Sequence, residues 1–105
     1  MGHFIALFFG GAFVANMLPH LLAGIQGRLF PSPFASPPGR GMSPPVVNVI
    51  WGSVNGVAGW ALLCPVGALD PGALADLAVA GSGGFLMALM LAWHFGRVMA
   101  EAGRA

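Results

Sequence analysis

The chain has no lysine, four arginines and only three acidic side chains, so charged residues make up 7% of its 105 positions. A soluble domain carries roughly 25%. With so little charge and 57% hydrophobic residues, the surface cannot be held in water, and lipid is the expected solvent. The net charge of +1 gives no electrostatic footprint for nucleic acid. A single cysteine, Cys64, excludes an internal disulfide and says nothing of the redox compartment. Also missing are a nucleophile beside a base, a carboxylate pair and a phosphate-cradling loop. The expectation is therefore a protein that is not an enzyme and uses no cofactor.

Three long apolar stretches are present, at about 4–27, 46–69 and 74–98. The first two carry no charge, and the third none between Leu77 and Gly96. In hydrocarbon every backbone group needs an internal partner, which makes these stretches helices. No run of alternating ten-residue segments suggests a barrel. The N-terminal stretch lacks a basic leader region and outruns a signal-peptide core, so it is expected to be a retained span. The predicted fold is an all-α integral membrane protein, one three-helix domain over 1–105. The proline-rich segment Arg28–Pro45, with six of the nine prolines, joins the first two helices and is unfit for regular helix. Asp70 is placed to cap a third helix beginning at Pro71.

Arg28 and Arg40 lie in the first loop, and Arg97 and Arg104 follow the third span. With three spans, all four share one side. The positive-inside rule makes that side the cytoplasm, with the N-terminus outside and the C-terminus inside. A multi-pass protein of a bacterial inner membrane is the expected setting. The four-helix multidrug exporters and the fluoride channels are similarly small, but this chain lacks a fourth span and their membrane charges.

Polar side chains inside the spans are the candidate functional residues. Asn16 and His20 are one turn apart, rotated by roughly 40°, and form a small-and-polar stripe with Ala12 and Gly24. Pro19 between them has no N–H, so the Ala15 carbonyl loses its helical partner and a kink is expected. In the second span, Asn48 and Asn55 are nearly eclipsed, with Gly52 and Gly59 along the same stripe. Gly52 and Gly56 form a GxxxG pair, which permits close backbone approach. Two chemistries fit. Asn16, His20, Asn48 and Asn55 line a path or site for a small solute, or they act as interhelical glue, with Gly52, Gly56 and Gly59 as a packing face. Gly81, Ser82, Gly83 and Gly84 mark close helix contact, or a broken helix at a substrate site.

His20 and His94 differ in expected depth by roughly 7 Å at ~1.5 Å per residue, and no further ligand stands beside them, so no metal site is expected. Phe30 and Phe34 are expected to dip into the interface or to cover the loop-side mouth of the bundle. Gly39-Arg40-Gly41 reads as a topology-fixing turn, or as a seat for an anionic headgroup. Cys64, before Pro65, reads as a packing residue.

Three helices make a thin bundle, whose polar stripes are not all expected to be buried within one protomer. The expected partners are therefore lipid and other protein chains. The function read from this pattern is a protomer of a homo-oligomeric assembly that binds or passes a small solute. The alternative is a non-catalytic accessory subunit that stabilises a larger membrane complex.

Overall fold

A computed structural model describes residues 1–104, excepting the Arg104 side chain. Three helices are long and apolar enough to cross a membrane: Gly2–Ile25, Pro45–Val66 and Leu74–Gly103. The chain is a multi-pass membrane protein by the length and composition of these helices.

Helix α1 spans Gly2–Ile25, 24 residues, about 36 Å at ~1.5 Å per residue. Its end is set by Gly27. The Gly27 N–H reaches the Gly24 carbonyl and the Arg28 N–H reaches the Ala23 carbonyl, at 3.0 and 2.9 Å. This closure needs a left-handed residue after the helix, and Gly27 supplies it with φ of 71°. Pro19 lies inside the helix.

The proline-rich loop is ordered as a short antiparallel ribbon, β1 (Phe30–Pro31) against β2 (Met42–Ser43). Phe30 pairs with Ser43 and Pro31 with Met42. Helix α2 runs Pro45–Ala61 with a proline in its first turn, where the missing N–H costs no hydrogen bond. It continues as a wider π turn over Leu62–Val66 that contains Pro65. Pro65 gives the Ala61 carbonyl no donor, and the ladder slips to Gly67 N–H on Leu62 O, 2.8 Å. The chain then turns at Ala68, φ 48°. Apolar sequence alone placed this span's end at 69; the proline and the left-handed residue end it a few residues earlier.

Helix α3 covers Leu74–Arg104, 31 residues. It starts where the third apolar stretch does and three residues after Pro71, because Asp70 serves a turn and not a helix cap. Its Oδ1 accepts the Gly72 N–H at 2.9 Å, and the acid that reaches back over this turn is Asp76, whose Oδ2 accepts the Asp70 N–H at 3.0 Å. At ~1.5 Å per residue α3 is about 46 Å long, matching the molecule's longest dimension of 47 Å. It exceeds a hydrocarbon core of ~30 Å by several turns.

Helix α1 is the centre of the bundle and packs on both others. The core is small: Ala6, Leu7, Ala12, Ala23 and Val98 are its buried hydrophobic residues. Many large apolar side chains, from Phe4 to Trp93, point outward, as suits lipid as solvent.

Candidate functional site

The polar residues of the first two spans meet in one seam between α1 and α2. His20 Nδ1 lies 2.8 Å from Asn48 Oδ1. The Asn48 amide nitrogen donates in turn to the carbonyls of Phe30, Ser43 and Pro44, at 2.9, 3.2 and 3.4 Å. Carbonyls only accept, so these contacts fix which way the amide points. Its oxygen is then left facing His20, and Nδ1 of the imidazole must be the donor. One turn further into the bundle, Asn16 Nδ2 donates to Asn55 Oδ1 at 2.9 Å, and Asn55 Nδ2 donates to the Trp51 carbonyl at 2.8 Å.

These contacts lie inside one chain. Asn48, Asn55 and His20 are 0%, 1% and 3% exposed without any neighbour. The expectation that the polar stripes cannot all be buried within one protomer is corrected for His20, Asn48 and Asn55, while Asn16 is half-buried. The loop folds back as a third wall, and it brings the Phe30 and Ser43 carbonyls to where a partner helix was expected.

The glycines show why the seam is tight. A Cβ on Gly52 would stand 2.8 Å from the Leu21 nitrogen, and one on Gly59 would stand 2.7 Å from Val14 Cγ2 and 3.1 Å from the Gly10 carbonyl. Gly56 differs, since its nearest neighbour is the flexible end of Met17. The tight face is therefore the Asn48, Gly52, Asn55, Gly59 stripe, and Gly56 sits at its edge.

Sequence reasoning missed Ser32 and Ser43. Their hydroxyls are 2.6 Å apart and 1% and 3% exposed. Ser32 also accepts the Phe34 N–H on Oγ at 3.1 Å and the Gly39 N–H on its carbonyl at 2.8 Å. The only signal was a Ser-Pro pair recurring at Ser32-Pro33, Ser36-Pro37 and Ser43-Pro44. The loop is further clasped to α3. His94 Nε2 donates to the Gly39 carbonyl at 2.8 Å, and Arg40 forms an ion pair with Glu101. At the opposite end, His3 Nε2 lies 2.8 Å from Asp76 Oδ1, tying the start of α1 to the start of α3.

Around His20 stand three aromatic rings, all edge-on: Phe30 at 5.5 Å, Phe95 at 5.9 Å and Trp51 at 6.4 Å between centroids. Phe30 and Phe95 also touch each other at 4.7 Å. Phe34 packs on the other side of Trp51 at 5.2 Å. Beyond Phe30 and Phe95, an open apolar groove of about 340 Å³ runs between α1 and α3. Ala15, Leu18 and Pro19 form one wall, and Ala88, Leu91 and Ala92 the other. The small side chains of Ala15, Ala88 and Ala92 leave this space unfilled, and Pro19, which has no N–H to give the Ala15 carbonyl, lies in its wall.

No protein-family model matches the chain, and neither a curated protein nor a solved structure is similar to it.

Proposed function

We propose that the protein binds a small membrane-soluble solute in the groove between α1 and α3 and does not conduct one along its polar seam. The observation that carries this reading is the contrast between two spaces. The seam has every buried side-chain nitrogen and oxygen partnered among the described residues, leaving no polar wall for a hydrated path. The groove, by contrast, is apolar and open, and its volume lies at the small end of ligand sites, which span roughly 300–1,000 Å³. The protein is then a non-catalytic binding module. In a bacterial inner membrane its loop and C-terminus face the cytoplasm. The Arg40–Glu101 pair supports placing both on one side, and the four arginines choose which side. A cytoplasm-only fluorescent reporter fused after Ala105 is then bright and one fused before Met1 dark; the reverse pattern overturns the orientation.

The binding test uses native mass spectrometry from mild detergent. Wild-type protein carries a bound small molecule, and Ala88→Phe, on an exposed position whose new ring fills the groove, loses it. A bare wild-type chain, or equal retention by the variant, counts against the reading. The same spectrum tests self-association. A second reading, an accessory subunit of a larger complex, draws on α3. This helix buries the smallest share of its span, 11% against 28% for α1, and exposes Phe85, Leu86, Leu89, Met90 and Trp93. Co-purified larger subunits would favour it.

A further inference from the structure

Two arginines near the loop end of the bundle are engaged differently. Arg40 forms an ion pair with Glu101 of α3. Arg97 takes part in neither of the two ion pairs formed among the described residues. Its guanidinium lies over the Trp93 ring, 4.9 Å from the centroid, one turn back on the same helix. Arg97, Trp93 and Glu101 border an open notch of about 440 Å³ that is also lined by Gly96 and Ala100. Those two side chains are too small to fill it, and nothing stands within 4 Å of where a Gly96 Cβ would be. The notch shares no residue with the groove, which Ala88, Leu91, Ala92 and Phe95 of the same helix border.

Independently of the groove, we propose that this notch seats the headgroup of an anionic phospholipid, with its phosphate on Arg97 and an acyl chain lying along α3 over Trp93, Met90 and Leu86. Charge is the first reason. Glu101 is the acid of the notch and is engaged by Arg40, so Arg97 is left as the positive charge that an anion meets. Geometry is the second. A guanidinium over an aromatic face keeps its N–H edges directed outward, in a fork that matches two phosphate oxygens. Depth is the third. The uncharged run Leu77–Gly96 is about 30 Å long at ~1.5 Å per residue, the thickness of a hydrocarbon core, so Arg97 stands at the level of lipid phosphates. The fourth is the track beneath it. Arg97, Trp93, Met90 and Leu86 follow one another at intervals of three and four residues and fall within roughly 60° of helix face. Leu86, Met90 and Trp93 are 53%, 53% and 63% exposed. Phosphate and chain are thus received on one line, which a soluble anion would not use. The Gly39-Arg40-Gly41 turn, the seat that composition suggested, has its arginine held by Glu101 instead.

The test titrates delipidated full-length protein in mild detergent with dioleoyl phosphatidylglycerol and, separately, with dioleoyl phosphatidylcholine. Bound lipid is counted by native mass spectrometry. The two lipids share their chains and a phosphate, and only the first carries net negative charge. Wild-type protein is expected to hold one phosphatidylglycerol on the order of fivefold more tightly, the worth of one arginine at an anionic surface. Arg97→Gln removes this preference, whereas Arg28→Gln, at an exposed arginine outside the notch, keeps it. Gly96→Phe retains every charge, fills the notch and also removes the preference. Equal affinities for the two lipids in the wild type, or an unchanged preference in Arg97→Gln, overturn the site. A preference that survives Gly96→Phe, or that is lost equally in Arg28→Gln, assigns it to overall charge and overturns the notch. Glycerol phosphate bound as tightly as the lipid overturns the role of the chain track. A co-purifying protein that covers Trp93 and leaves no lipid bound gives this face to a partner chain instead.

Discussion

The two seams of the bundle are built on opposite principles. Between α1 and α2 two layers of polar contact are set among close glycine contacts. Asn48 and His20, then Asn55 and Asn16, bond across it, and the glycines of α2 bring the backbones close enough for short amides to reach. Between α1 and α3 the contact, beyond the His3–Asp76 pair at the helix starts, is bare backbone at a crossing and open towards the loop. A Cβ on Gly83 would fall 1.8 Å from the Phe8 carbonyl oxygen, and one on Gly11 would fall 1.9 Å from that of Ala80. Towards the loop the same two helices border the groove. A membrane helix pair has no hydrophobic effect to hold it, so each seam needs a substitute. The first uses hydrogen bonds, which fix register. The second uses close van der Waals approach at a single crossing, which leaves the far end able to hold something else.

The largest effect is expected at that crossing. Gly83→Ala places a methyl group against backbone, which cannot retreat as a side-chain tip can. Overpacking costs about 1–3 kcal/mol or more, and here the upper end applies, because two helices must part. Gly81→Ala, with open space around it, is the matched control. Unfolding by denaturing detergent in mixed micelles should separate the two variants clearly. Similar midpoints would mean that α3 is not held by this crossing.

Next in size is Asn48→Leu. The substitution leaves the His20 donor and the Phe30 carbonyl without their partner, and each buried unpaired group costs about 1–3 kcal/mol. Part of that cost falls on the loop, because Asn48 is what ties β1 and β2 to α2. Hydrogen exchange at Ser32 and Gly39 should therefore quicken along with the global loss. A stability loss with the loop still protected would show that Ser32 and Ser43 hold the ribbon without the seam.

The three helices and the polar stripes are legible in the sequence because period and composition report them directly. Asn16 and His20 share a helix face by spacing, as do Asn48 and Asn55. The sequence is silent on which stripe faces which. A polar stripe looks the same whether its partner lies within the chain or on another, and the deciding element was a loop whose prolines announce only that it is not helical. The Pro65 π turn, the pairing of Ser32 with Ser43 and the placement of Phe95 over His20 depend on tertiary contact. The groove is still harder to read, since it is bordered by side chains too small to fill the space between α1 and α3. Nothing local marks Ala88 or Ala92 as different from other alanines.

Asn16→Ala should have a smaller effect. Asn16 is half-buried and makes one bond, to Asn55, which keeps its own donor bond to the Trp51 carbonyl. Interhelical hydrogen bonds in membranes average about 0.6 kcal/mol, and a loss of that size is expected from the same detergent titration. A loss of several kcal/mol would mean that the amides act as one chain from Asn16 to the loop, and the two layers of the seam would no longer be separable.

The smallest effect is expected where a GxxxG reading would place a large one. Gly52 and Gly56 look equivalent in sequence. A methyl group on Gly52 meets the Leu21 backbone at 2.8 Å, whereas one on Gly56 meets the Met17 sulfur at 2.6 Å. Backbone cannot yield without moving the helix, but a thioether on three rotatable bonds can swing aside. Gly56→Ala should therefore stay within about 0.5 kcal/mol of wild type, since alanine also removes glycine's extra backbone entropy in the unfolded chain. Gly52→Ala should lose about 1–3 kcal/mol by overpacking. Equal losses at the two positions would restore the symmetric GxxxG face and move the tight contact one turn along α2. Equal tolerance would mean that the hydrogen bonds alone set the distance between α1 and α2, and that the glycines merely permit it.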